Sequence, residues 1–354
     1  MNQKIKWFRE RMRIFDLDGM IVSNPINIEY LTGLKAEGML LITRKENIFL
    51  TDSRYIEEVK SILTVDDEII INNYKDLIDY DYERFFSFCE NVGFEEYYAT
   101  YAKYKEYKQK FKINNLEETE KIIEKQRAIK EKSEIIKIKK ACEITDKCFN
   151  YLLQFIKVGK TEIEIAKEIE RFLINNGADD ISFKPIVASG PNSSKPHAVP
   201  TERKITVGDV VLLDFGCKYK GYCSDMSRTV FMNYVTEKTR KLYNLILEIK
   251  EKAQEHYIEG KNLKTIVKMV ETEFKLNNQD LIHSLGHGVG LEIHELPFCN
   301  LKKDCILKEN MVLTNEPGIY IPGMFGIRIE DTVLINKDGA ESLTKSNRDI
   351  IVIK

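Results

Sequence analysis

Up to about residue 125, the spacing of apolar positions predicts alternating strands and helices. "GMIVSN" and "GMLLITRKENIFLT" read as strands, and the second folds back on itself as a hairpin over "RKEN". This is the pattern of a small α/β domain over 1–125. From 121 to 142, "KIIEKQRAIKEKSEIIKIKKAC" sets apolar residues at helical spacing among lysines and glutamates, which predicts a solvated, charged connection into the first helix of a second domain over 126–354.

The second domain says one thing twice. In the first copy, "VGKTEIEIAKEIERFLINNG" is an amphipathic helix with a Thr161/Glu164 capping box at its start and Gly177 at its end; "HAVP" and a strand pair over 207–232 follow. In the second, a helix with Leu242, Leu245, Ile246 and Ile249 on one face precedes "EGKNLKTIVKMVETEFKLNN", "HELP" and another strand pair. Gly159-Lys160 recurs as Gly260-Lys261, and His197-x-x-Pro200 as His294-x-x-Pro297. A duplicated half-domain explains both.

Each strand pair carries two carboxylates. In "DVVLLDFGCKYKGYCSDMSRTVFM", a turn at Tyr219-Lys220 with Gly221 at positive φ sets Asp214 against Asp225. In "MVLTNEPGIYIPGMFGIRIEDTVLI", Glu316 and Glu330 stand equally far from Gly323 and so face each other too. With 56 acidic residues in the chain, either pair alone could be coincidence. The surrounding runs, "VVLLDFG" and "VLTNEPGIY", are those of buried strands, however, where four unpaired carboxylates would cost several kcal/mol each. Metal ions are the natural remedy, and four carboxylates can serve two ions roughly 4 Å apart when some of them bridge. "GHGVGLEIHELP" supplies the imidazole: glycines on both sides of His287 let the backbone approach a crowded site. An oxygen-rich set with one imidazole suits manganese, cobalt or ferrous iron. His256, on the exposed side of a charged helix, reads as an ordinary surface residue.

Length and composition fit this picture. A chain of 354 residues has room for two cores. Lys and Arg total 54 against 56 Asp and Glu, a net charge of -2, which argues against partners recognised by bulk charge, whether nucleic acid or membrane. The start, "MNQKIKWFRERMRIFDLDG", has no apolar run fit for a signal, and no window approaches a membrane span, so a cytoplasmic protein is expected. Seven cysteines without a CxxC predict reduced, mostly buried thiols.

"SGPNSSKPHAVP", "LLDFGCKYKGYCSDMSRT", "IHSLGHGVGLEIHELP", "TNEPGIYIPG" and "GIRIEDTVLI" together resemble the metallopeptidases that include methionine aminopeptidase, prolidase and Xaa-Pro aminopeptidase. "NIEYLTGL" and "LTDSRYIEE" look like the creatinase and aminopeptidase P type of N-terminal domain. The resemblance implies a mixed α/β (α+β) chain: a small α/β N-terminal domain, then a pseudo-twofold "pita-bread" catalytic domain. It implies that Asp214, Asp225, His287, Glu316 and Glu330 hold two divalent ions, manganese first, with cobalt, iron or zinc as alternatives. Asp225 and Glu330 would bridge them. Glu316 would also shuttle a proton, His197 and His294 would contact the substrate, and His283 and Arg328 would support the site. Asn315 stands where an apolar residue is expected. The implied activity is that of an Xaa-Pro aminopeptidase acting on proline-containing peptides, in a homodimer. The alternative is an Xaa-Pro dipeptidase, a prolidase; a third reading is a non-catalytic binding protein of the same fold.

Overall fold

The computed structural model describes residues 3–63, 69–73 and 85–354, which divide into two compact units at Arg127/Ala128. In the first unit, β1 (Gly19–Val22), β2 (Met39–Thr43), β3 (Asn47–Thr51), β4 (Ile69–Asn73), β5 (Asn91–Phe94) and β6 (Asn115–Glu118) form one mixed sheet in the order β4-β3-β2-β1-β5-β6. The "RKEN" hairpin is present, with Ile42 opposite Asn47. Ile21, Leu41, Ile48, Leu50 and Val92 are buried with Phe86 and Phe111 in the core, so the run of apolar residues in β2 reflects a strand covered on both faces.

Glu95, just past β5, is buried and accepts from the N–H groups of Ser23 (2.6 Å) and Asn24 (2.7 Å) and from Nδ2 of Asn27 (2.7 Å). Burial outweighs these donors and pushes its carboxyl up to about 7. The folded chain therefore keeps a proton that the unfolded chain releases near pH ~4.3, and stability falls as pH rises from there to about 7. Over that interval the unit should lose roughly 3 kcal/mol. Glu95→Gln should flatten the slope of urea midpoint against pH; an unchanged slope in the variant would show that another group titrates.

The second unit is built from two similar halves. The first has helices Lys132–Phe155 and Glu162–Asn175, then β7 (Asp180–Ile181), β8 (Ile186–Ser189), β9 (Val210–Phe215), β10 (Cys217–Tyr219), β11 (Tyr222–Cys223) and β12 (Met226–Met232). The second has helices Glu237–Glu255 and Leu263–Leu276, then β13 (Gly286–Gly288), β14 (Glu295–Cys299), β15 (Val312–Asn315), β16 (Gly318–Ile321), β17 (Phe325–Arg328), β18 (Asp331–Asn336), β19 (Gly339–Ser342) and β20 (Ile351–Ile353). The two principal sheets run β20-β12-β9-β8 and β14-β13-β15-β18-β19. Helix residues Phe149, Ile165 and Ile169 pack on Val187, Val211 and Leu213 in the first half, and Ile246, Ile249 and Val267 lie with Leu313 and Val333 in the second.

The repeated Gly-Lys dipeptides do the same work. Gly159 N–H donates to Ile205 O and Ile205 N–H returns to Lys160 O; Gly260 pairs with Leu307, and Leu307 with Lys261, in the same way. The Thr161/Glu164 capping box is formed in both directions. Residues 121–142 differ from expectation. They are two helices, Ile122–Arg127 and the start of Lys132–Phe155, and the break between them is not solvated: the Lys130 ammonium lies 2.9 Å from Glu295, both side chains buried.

Candidate metal centre

The two hairpins meet their predictions unequally. In the second, β15 pairs with β18 and β16 with β17 in one continuous register centred on Gly323, so Glu316 and Glu330 fall opposite each other in the gap between the two ladders. The first hairpin is shifted. Its turn lies on Lys220 (φ 48°) and Gly221 (φ 81°), and Tyr219 faces Tyr222. Asp214 is therefore opposite Ser227, and Asp225 lies diagonal to it on the same face. Both central residues of such a tight turn need positive φ, and Lys220 rather than Tyr219 is the first of them, with Gly221 the second.

A seam between the halves brings the two pairs together. Glu330 N–H donates to Ser227 O (3.1 Å), and on either side of it a threonine hydroxyl stands in for a backbone group: Thr332 Oγ1 donates to Asp225 O (2.8 Å) and Thr229 Oγ1 to Arg328 O (3.0 Å). Ligand atoms of Asp225, His287 and Glu330 consequently lie within 4.8 Å of one another. His287 is held from behind by close contacts of its glycine neighbours with the flanking strands: a Cβ on Gly286 would sit 2.2 Å from Thr314 O, and one on Gly288 2.2 Å from Leu296 O. The glycines thus seat β13 in its sheet, and the imidazole alone reaches the centre.

His287 Nδ1 donates to Gly288 O (3.1 Å), which leaves the Nε2 lone pair 3.5 Å from both Asp225 Oδ2 and Glu316 Oε1. Burial holds this imidazolium below its usual range, so the ring is neutral and able to ligate. The carboxyls of Asp225 and Glu330 are pushed well above theirs, first by burial, then by Glu330, Asp214 and Glu316 in the case of Asp225 and by Glu316 and Asp214 in the case of Glu330. Among the described residues, one cation faces them. Arg328 donates from Nη2 to Asp214, from Nε to Ser227 Oγ (2.8 Å) and from Nη1 to Tyr320 Oη (2.6 Å); Ser227 Oγ in turn donates to Glu330 Oε2 (2.7 Å).

A cavity of about 360 Å³ opens over these groups, and His197, His283 and His294 line it. The rings of His294 and His287 meet edge to face at 4.3 Å. Partial burial and the neighbouring His287 push the His294 imidazolium down to about 4. His283 donates from Nδ1 to Ser284 O, so its Nε2 accepts from Tyr320 Oη at 3.0 Å. His256 is exposed and far along a helix end, as expected.

The sequence matches metallopeptidase family M24 over residues 136–337 and the creatinase/prolidase N-terminal domain over 4–129. The chain belongs to metallopeptidase family M24. An Xaa-Pro dipeptidase of Pyrococcus horikoshii is 35% identical over 99% of both chains. Among solved structures, an Xaa-Pro dipeptidase from Bacillus anthracis superposes with a TM-score of 0.92 at 34% identity, covering 99% of each chain, and an X-Pro aminopeptidase from Thermotoga maritima with 0.86 at 29%, covering 97% and 100%. The mixed α/β architecture is that of a creatinase-type N-terminal domain followed by an M24 catalytic domain.

M24 metallopeptidases imply divalent metal ions, and the residues fit them. Asp214 Oδ1, Asp225 Oδ1 and Glu330 Oε1 are buried acceptors without a hydrogen-bond partner among the described residues, an arrangement that a cation resolves. Tyr320 and Ser227 were not singled out from sequence. Tyr320 could have been: the register centred on Gly323 sets it opposite Gly326, on the face of Glu316 and Glu330. Asn315 is buried and ties β15 to the helix Glu237–Glu255 through Nδ2 to Lys250 O (2.9 Å).

Proposed function

We propose that this chain is a dinuclear-metal Xaa-Pro dipeptidase, which splits dipeptides that end in proline. The full-length likeness to Xaa-Pro dipeptidases carries the proposal. An aminopeptidase is the first expectation from sequence, but the dipeptidase relatives are more similar than the aminopeptidase structure and support the alternative better.

Asp214, Asp225, His287, Glu316 and Glu330 would hold the two ions, with Asp225 and Glu330, on the seam, as the bridging pair. When bound, the ions supply an activated water and polarise the scissile carbonyl. The chain's own residues do the rest. Glu316 Oε1 is the place for the water's proton, 3.5 Å from His287 and steadied by Thr314 Oγ1. His294, neutral near pH 7, donates to the carbonyl oxygen with His197 as charge develops there. The chain Arg328, Tyr320, His283 fixes the site's cation and one wall. Phe183, Ile293 and Phe298 give the cavity an apolar side that a proline ring can face. Because a bond to proline has no N–H and a fixed φ, a site that grips the carbonyl instead of an extended strand suits it. Manganese fits the oxygen-rich donor set; a cytoplasmic homodimer completes the proposal from the family resemblance.

Chelator-stripped protein, with and without added manganese, should cleave an Xaa-Pro dipeptide in a metal-dependent way and leave the matched Xaa-Pro-Yaa tripeptide intact. Cleavage of the tripeptide would make the enzyme an aminopeptidase, and cleavage of neither would point to a binding role.

A further inference from the structure

His197 reaches the cavity from the segment Ser189–Thr201 with nothing holding its ring: the side chain is exposed, and no hydrogen bond among the described residues engages it. Such a ring stands where its backbone puts it. Both ends of the segment converge on one side chain, Glu162, the first residue of the helix Glu162–Asn175 and fully buried. Its Oε1 accepts from Ser189 N (2.6 Å) and Ser189 Oγ (2.7 Å); its Oε2 accepts from Asn192 Nδ2 (2.8 Å), Thr201 N (2.9 Å) and Thr201 Oγ1 (2.7 Å). Donors on both oxygens saturate a carboxylate, and an amide in its place would turn an NH2 toward some of them.

The middle of the segment is seated on the β16–β17 hairpin. Gly326 N–H donates to Ser193 Oγ (2.9 Å), and Arg328 Nη1 to the carbonyl of Pro196, the residue before His197 (3.2 Å). Arg203 closes the outer end, bridging Ser189 Oγ to Asp209. The internal duplication shows what the carboxylate is not for. By the Gly159/Gly260 correspondence, the second copy has Leu263 at this position, buried in an apolar core under an Asn262 cap. The half-domain folds with either residue. The carboxylate's distinct consequence is the closed Ser189–Thr201 segment.

We propose that Glu162 is a positioning residue for the peptidase reaction, fixing where His197 stands over the metal ligands. The proposal rests on the substrate role of His197 given above. Its test uses the manganese-loaded enzyme and an Xaa-Pro dipeptide, with kcat, KM and bound metal measured for Glu162→Gln, His197→Ala and the double variant. Glu162→Gln should lower kcat/KM by about 10- to 100-fold, mainly in kcat, with bound metal unchanged. In the His197→Ala background the same change should cost less than about twofold, because the group it positions is gone. Thr201→Val, which removes one donor to Glu162 together with the acceptor for Arg203 N–H and leaves the helix intact, should show the same dependence on His197 with a loss of about three- to tenfold, and decides the matter if Glu162→Gln does not fold. Wild-type kinetics in Thr201→Val and Glu162→Gln, or an equal loss with and without His197, would overturn the proposal. If His197→Ala is as active as the wild type, the substrate role of His197 falls and the proposal with it; a loss in His197→Ala without one in Glu162→Gln removes the proposal alone.

Discussion

Asp225→Asn should reduce dipeptide turnover by at least ~10³-fold and lower the bound metal, because it changes the carboxylate proposed to touch both ions. Asp225 is buried, its Oδ1 has no hydrogen-bond partner among the described residues, and its carboxyl is pushed well above the usual range by burial and by Glu330, Asp214 and Glu316. A group so placed is costly when charged unless cations neutralise it, and the amide of Asn would turn a donor toward those cations. Metal analysis and single-turnover kinetics on the same sample separate the possibilities. Full activity with unchanged metal would sink the dinuclear assignment. His294→Ala is the control: it stands beside His287 without belonging to the acidic cluster, and should keep the metal while losing turnover.

What could be read in the sequence follows from how local each constraint is. The Glu316/Glu330 register was legible because Gly323 marks the middle of a hairpin whose two ladders share one register. The turn of the Asp214/Asp225 hairpin was misplaced by one residue, and the pairing therefore by two, since a lysine at positive φ carries no signal comparable to glycine's. The duplication was legible in two Gly-Lys dipeptides because each performs the same reciprocal backbone pairing. The seam was not. Its contacts join Asp225, Ser227 and Thr229 to Thr332, Glu330 and Arg328, about a hundred residues away, through hydroxyls that no periodicity distinguishes. Lys130 likewise reads as a solvated lysine until Glu295, the carboxylate that follows His294, is found beside it.

Asp331→Asn should destabilise the second unit by about 3–5 kcal/mol. Asp331 is fully buried next to Glu330 and meets three cations: Arg228 Nη2 at 2.7 Å on Oδ1, and Lys250 Nζ and Arg348 Nε, each at 2.5 Å, on Oδ2. Burial pushes its carboxyl up, but Arg228, Lys250 and Arg348 together outweigh burial and hold it well below the ordinary range. The contribution is therefore present above the unfolded value of ~3.9 and is lost only as pH falls well beneath it, so the variant should also show a flatter acid limb. Without the carboxylate, Arg228 and Lys250, each only 1% exposed, lose the counter-charge they pair with among the described residues. Lys250→Met should cost less, because two cations still neutralise Asp331. A buried ion cluster is a poor stabiliser compared with an apolar core, so its value here lies in where it puts things. Arg228 also donates to Ser227 O and Glu330 O, and the Lys250 carbonyl holds Asn315 next to Glu316. The cluster thus grips from behind the strands that carry the proposed ligands. Urea unfolding should show the loss in stability, and metal titration of the folded variant a weaker site. A loss under about 1 kcal/mol would mean that water reaches Arg228 and Lys250 and that the cluster does not hold these strands.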